Sequence, residues 1–106
     1  MTFLSVENAF LSKGKPAILL KIQKKSYEVN IWFSIDEIPI LQEVESISWK
    51  DGSVKIGTSA NSDVSWSSDG NEVSIFIGHD DETWDIAVYI KKKELKELIA
   101  EIEKIT

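Results

Sequence analysis

Residues 71–90 read Asn71-Glu72-Val73-Ser74-Ile75-Phe76-Ile77-Gly78-His79-Asp80-Asp81-Glu82-Thr83-Trp84-Asp85-Ile86-Ala87-Val88-Tyr89-Ile90, two alternating apolar runs on either side of an acidic break. A period of two marks a strand with one buried face. Val73, Ile75 and Ile77 share a face, opposite Ser74, Phe76 and Gly78. In Thr83–Ile90 the residues Trp84, Ile86, Val88 and Ile90 share a face, and Thr83, Asp85, Ala87 and Tyr89 share the other. Joining the runs through a loop at His79–Glu82 pairs Ile77 with Trp84, Ile75 with Ile86 and Val73 with Val88. All three pairs are apolar, as a register with one buried face requires.

Working outward, the same test finds more hairpins. Asp69-Gly70 is a turn signal that pairs Ser67 with Glu72 and Trp66 with Val73, keeping Trp66 on the core face. Asp51-Gly52 is another, pairing Trp49 with Val54 and Ile47 with Ile56. Lys24-Lys25 joins Ala17–Gln23 to Ser26–Phe33 and matches Ile22 with Tyr27, Leu20 with Val29 and Ile18 with Ile31. Its outer face then sets Lys21 against Glu28 and Ala17 against Trp32. Between Val54–Ser59 and Asp63–Ser67, only an odd loop keeps Ile56 opposite Trp66. A three-residue loop, Ala60-Asn61-Ser62, or a bulge is therefore expected. Thr2–Leu11 reads as a first strand plus loop, and Lys13-Gly14-Lys15-Pro16 as a turn.

Helices are few. Lys92–Ile105 carries Leu95, Leu98, Ile99, Ile102 and Ile105 at helical spacing among Lys and Glu. Asp36–Val44 reads as a short helix with Asp36 as N-cap and Pro39 in its first turn, where a missing N–H costs little. The expected fold is α+β: a six- to eight-stranded, mostly antiparallel meander, free to half-roll, with one short helix and one C-terminal amphipathic helix.

The chain has 106 residues, enough for one domain over 1–106 and too few for two cores. An apolar fraction of 42% with 28% charged residues suits a globular domain. No apolar run reaches the roughly 18 residues that span a bilayer. The start, Met1 to Glu7, has neither a basic region nor a long apolar one, and there is no cysteine, so a cytoplasmic protein without disulfides is expected. The net charge of −6 is uneven: from Asp36 to Asp85, 12 acidic residues stand against two lysines, while the flanks carry 10 lysines and six acids. An acidic middle repels nucleic acid and anionic lipid and attracts basic surfaces. All 12 basic residues are lysine, which counts against base-edge and phosphate recognition.

Catalytic groups are scarce. His79 is the single histidine, within His79-Asp80-Asp81-Glu82. An imidazole–carboxylate pair or an oxygen-rich metal corner can be drawn there. A solvated hairpin tip is the preferred reading, because a lone histidine without cysteine lacks a transition-metal ligand set. The order of acids does not fit a calcium loop. Ser46, Ser48, Ser65, Ser67 and Ser74 suit a solvated sheet face, and no nucleophile elbow or glycine-rich phosphate loop occurs. No catalytic residue, cofactor or metal is expected, and the chain reads as a binding protein rather than an enzyme. Trp49, Trp66 and Trp84 share the core register. Trp32 falls on the opposite face, as do Phe76 and Tyr89 on theirs. Either the C-terminal helix covers that second face or the rings are exposed, and exposed rings rimmed by carboxylates make an interface.

In its acidic, tryptophan-bearing strand series Asp63-Val64-Ser65-Trp66, Asn71 to Ile77 and Glu82 to Ile90, followed directly by the helix Lys92–Ile105, the chain resembles immunity proteins of bacterial contact-dependent growth inhibition and related polymorphic toxin systems. The resemblance implies a cytoplasmic protein that pairs one to one with a cognate toxin, commonly a basic nuclease domain, and occludes its active site. It carries no residue role across. Charge and register alone nominate Asp63, Asp69, Glu72, Asp80, Asp81, Glu82 and Asp85 as partner-facing carboxylates, with Trp32 as aromatic anchor. The alternative is a generic acidic interaction or regulatory domain without catalysis.

Overall fold

The computed structural model describes residues 2–106. Seven strands form one antiparallel sheet in sequence order: β1 Phe3–Phe10, β2 Pro16–Gln23, β3 Glu28–Ser34, β4 Val54–Ser59, β5 Ser62–Asp69, β6 Glu72–Gly78 and β7 Trp84–Lys91. A short helix, α1 (Ile38–Leu41), lies within a helical stretch between β3 and β4, and α2 (Lys92–Ile105) ends the chain. The α+β meander read from the sequence is the fold.

One face of the sheet is dry. Ile18, Leu20, Ile22, Val29, Ile31, Phe33, Ile56, Val64, Trp66, Val73, Ile75, Val88 and Ile90 all point into it and are buried. Leu95, Leu98 and Ile102 of α2 complete this core, and Leu4 and Val6 of β1 pack at its margin. Each such side chain contributes about 1.5–3 kcal/mol by leaving water. The sheet rolls around the core far enough to bring its outermost strands together. The Lys24 ammonium, at the tip of the β2–β3 hairpin, donates to the Thr2 hydroxyl and to the Tyr89 carbonyl of β7, both at 2.7 Å. Farther along the seam α2 fills the opening, and the Asn8 side-chain amide of β1 donates to the Ile105 carbonyl at 3.2 Å.

The faces read from the sequence hold for β2, β3, β5 and β6, but the registers differ. Ile22 pairs with Val29, Trp66 with Ile75 and Ile77 with Ile86, each shifted by two residues from expectation. A two-residue slip leaves every side chain on its own face, so alternation cannot detect it. Lys21 consequently pairs with Asn30 instead of Glu28, and Ala17 with Ser34 instead of Trp32. Between β4 and β5 the bulge is realised: a two-residue turn at Ala60 and Asn61, both at positive φ, and a register shift between Lys55 and Thr58. Gly57 sits in that bulge at φ 75°, pressed against the backbone of β3. Trp66 extends under it, donating its indole N–H to the Ile56 carbonyl at 3.1 Å.

Three expectations are overturned. No hairpin forms at Asp51-Gly52. Trp49–Asp51 is a 3₁₀ turn capped by the Ser48 hydroxyl, and Trp49 is exposed instead of buried. Ile47 donates its amide to the Val44 carbonyl at 3.0 Å and accepts from the Ser68 amide at 2.7 Å, and with only an isolated bridge from Ser48 to Ser68 this connection passes β5 without joining the sheet as a strand. The helical stretch after β3 is capped by Ser34, not Asp36. The Ser34 hydroxyl accepts from the Asp36 amide at 3.1 Å while Glu37 accepts from the Ser34 amide at 3.0 Å, a reciprocal capping box. Asp36 instead points outward to Lys15 at 3.3 Å. Trp84 leaves the core face altogether, for the reason given next.

Candidate protein-interaction surface

The second face of the sheet is not covered by α2, which packs wholly on the core side through Leu95, Leu98 and Ile102. On this outer face the β6–β7 hairpin carries a cluster of rings. The register breaks between Ile77 and Gly78, with Gly78 at φ 157° and opposite Trp84. The extra residue, Asp85, reverses the parity of the strand before it, as a bulge does. Trp84 therefore turns out of the core and stacks on Phe76, with centroids 4.9 Å apart and planes within 8°. Tyr89 meets the edge of Phe76 at 6.3 Å. Trp84 remains 41% exposed and Tyr89 45%. Ile86, just past the bulge, is also exposed. Beside this ridge the short side chains of Ser65, Ser67 and Ser74 are buried, contrary to the solvated serine face read from sequence.

The loop before Trp84 is ordered by one carboxylate. Asp80 Oδ1 accepts from the Glu82 amide at 2.9 Å, the Thr83 amide at 2.7 Å and the Thr83 hydroxyl at 2.8 Å. The Glu82 N–H, then the Thr83 hydroxyl and amide, hold the Asp80 carboxyl below its ordinary pKa, with a lesser contribution from the charge of His79. Asp81 accepts from the Ser53 hydroxyl at 2.8 Å. Ser53 precedes β4, two strands from β6, so the loop leans back over the outer face. His79 itself is a solvated side chain, 3.9 Å from Asp80.

The nominated residues are only partly brought together. One lateral row of pairs runs across the sheet through Leu19, Trp32, Thr58, Asp63, Gly78 and Trp84. Trp32 and Asp63 thus share the outer face with the ring cluster, although Trp32 is half-buried and lies four strands from Trp84, roughly 19 Å at normal strand spacing. Asp63 is paired with Lys55 at 3.2 Å. Asp80, Asp81 and Glu82 lie in the loop that leads into Trp84, and Asp85 follows it in the bulge. Asp69 and Glu72 face each other at the other end of the hairpins, roughly 20 Å away along β5. There Glu72 pairs with Lys91, and Lys50 and Lys92 line the same cleft as Asp69, so that end is not an acidic surface.

The residue missed by reading the sequence is Trp84. The one available signal was the Gly78 before an acidic loop, a glycine at a strand end that marks a bulge. What the arrangement offers chemically is a partly exposed aromatic cluster beside an acidic loop. No protein-family model matches the chain, and no curated protein or solved structure gives a significant match.

Proposed function

We propose that the chain is a binding protein that neutralises a basic partner across its outer face, in the manner of the immunity proteins it resembles. The partner in that reading is a cognate toxin domain, chemically a lysine- and arginine-rich nuclease, held one to one in the cytosol with its active site covered. The observation that carries the reading is the Phe76–Trp84–Tyr89 cluster, with Trp84 and Tyr89 exposed, joined directly to the loop and bulge that carry Asp80, Asp81, Glu82 and Asp85. Central rings supply most of the binding energy of an interface, and rim carboxylates speed the encounter with a basic surface. Binding of this kind needs no reactive group.

The test is co-expression of this chain with the product of the neighbouring gene. The neighbour alone should arrest growth, and this chain should relieve the arrest and co-purify with it. Trp84→Ala should weaken the complex at least about thirtyfold, the equivalent of a 2 kcal/mol hot spot, while the melting temperature moves little. Reversing Asp81, Glu82 and Asp85 to lysine should slow association at low salt, leaving Asp80 in place to hold the loop. A neighbour that is neither toxic nor bound removes the immunity reading. A complex indifferent to both variants removes the outer face as the interface.

A further inference from the structure

The two free edges of the sheet are treated differently. On β7 the outward backbone groups near the seam are capped: the Tyr89 carbonyl by Lys24, and the Lys91 amide by Glu94 Oε1 at 2.8 Å. On β1 they are not. The Leu11 amide donates to the Lys15 carbonyl at 2.8 Å, which fixes the phase of the β1–β2 ladder. Alternate residues from there, Ala9, Glu7, Ser5 and Phe3, direct their N–H and C=O at β2. Leu4 and Val6 direct theirs away from the sheet. Among the described residues, none of these four groups has a protein hydrogen-bond partner.

These groups open into a cleft. It holds about 460 Å³ between Thr2 with the first half of β1 and the side of α2 that presents Glu94, Glu97, Leu98 and Glu101. The cleft is polarised along its length. Glu101 lies toward Val6, Glu97 lies midway, and the Thr2 end gathers Lys24, Lys91 and Lys93 beside Glu94. We infer that this cleft takes an extended, lysine-bearing segment of a partner protein, added antiparallel to β1 as an eighth strand. Main-chain bonds to Leu4 and Val6 hold the segment, and alternate side chains are read by the walls, the usual logic of strand addition. Antiparallel entry sets lysines of the segment against Glu97 and Glu101. It also brings the segment's C-terminal end to Lys24, Lys91 and Lys93. A stretch of sheet edge whose outward groups lack partners, as at Leu4 and Val6, is a template for such pairing. This surface is separate from the Phe76–Trp84–Tyr89 ridge.

The probe is a fluorescein-labelled octapeptide of alternating valine and lysine with a free C-terminal carboxylate, read by anisotropy and by amide NMR shifts. Binding should move the amides of Leu4 and Val6. An added strand uses one edge of the peptide only, so N-methylation of residues of one parity should abolish binding and of the other parity leave it intact. Glu97→Lys with Glu101→Lys, both on the exposed side of α2, should weaken binding at least about tenfold at low salt, as for a desolvated charge pair. Trp84→Ala should bind the peptide as the parent does, which keeps this inference distinct from the function proposed above. The inference falls if the peptide does not bind, if both methylated forms bind equally, or if the shifts lie on β7. It also falls if β1 shifts appear with protein concentration alone, since the occupant is then a second copy.

Discussion

Replacing Gly57 by alanine should be among the most damaging single-methyl changes in this protein, and its cost separates cleanly from that of backbone strain. Gly57 has φ 75°, where an L side chain costs about 1–2 kcal/mol. A Cβ there would also lie 2.5 Å from the Trp32 carbonyl oxygen and 2.9 Å from Phe33 Cβ. Both belong to β3, which is locked between two strands and cannot retreat, so β4 must move. Movement breaks the bond from the Gly57 amide to Glu37 Oε2, now 3.0 Å, and disturbs the carboxylate that also caps Ser34. A bond to a charged acceptor is worth about 1.5–3 kcal/mol. The total is about 3–5 kcal/mol, a third or more of a typical domain's stability, and at this size a melting-temperature drop of the order of 20 °C. Gly14 provides the control. Its φ is 73° and nothing lies within 4 Å of its added Cβ, so Gly14→Ala carries the strain alone. Urea melts of the two variants should differ by about 2–3 kcal/mol. Equal losses would show that the contact between β3 and β4 at the bulge is not as tight as described.

Other perturbations test the core, the helix and the loop. Trp66→Phe removes the donor to the Ile56 carbonyl at a site with no exposure, and should cost about 2–4 kcal/mol from the orphaned acceptor and the void together; a loss under 1 kcal/mol in chemical denaturation contradicts that. Leu98→Asp or Ile102→Asp buries an unpaired charge against the sheet and should unfold the domain or release α2. Lys96→Asp, which loses only the exposed pair to Glu45 at 3.5 Å, should cost at most about 1 kcal/mol, so similar circular-dichroism melts for the three would refute the packing of α2. Asp80 is depressed in the folded state, so its bonds to Glu82 and Thr83 stabilise the loop above the ordinary carboxylate pKa and are lost as pH falls through the lowered one. Protection of the Glu82 and Thr83 amides should therefore persist at about pH 4, the ordinary carboxylate value, and disappear only in stronger acid; a carboxyl titration of Asp80 at or above that value overturns the assignment.

What could be read from the residues was parity. The alternation in Ala17–Gln23, Ser26–Phe33 and Val73–Ile77 named the buried side chains because a side chain's face depends only on odd or even position, except for Tyr27, which precedes β3 and is exposed instead of meeting Ile22. Register was not legible, since each two-residue slip exchanges one apolar pair for another of equal quality. Val73 meets Ile90 instead of Val88, and both are buried. The Asp51-Gly52 signal failed because that segment is held by its own 3₁₀ bonds and by Ser48, local interactions that compete with a hairpin. Trp84 was misplaced because a bulge changes parity within a strand, and no periodic rule carries across it. The acidic middle misled in a different way. Charge counted along the chain ignores that consecutive hairpin turns alternate between the two ends of a sheet, which parts Asp69 and Glu72 from Asp80 and Asp85.

The seam at Lys24 bears on the order in which the molecule is made. Every strand pairs with its neighbour in sequence, and all but the β3–β4 pair, which is joined through residues 35–53, can close over a short loop without waiting for distant chain. The seam is far more non-local: Lys24 reaches Tyr89 across 65 residues, and Asn8 reaches Ile105 across 97. Lengthening a closing loop from a few residues to nearly a hundred adds on the order of 2–3 kcal/mol of entropy, so the seam belongs after the hairpins. During synthesis, β1 to β7 emerge before α2 does, and until then the dry face of the rolled sheet lies open along one side. The 14 residues of α2 act as a latch that ends this exposure. Amide exchange in the finished protein should carry the same imprint in reverse, with α2 and β1 opening together while the central strands β4, β5 and β6 stay closed.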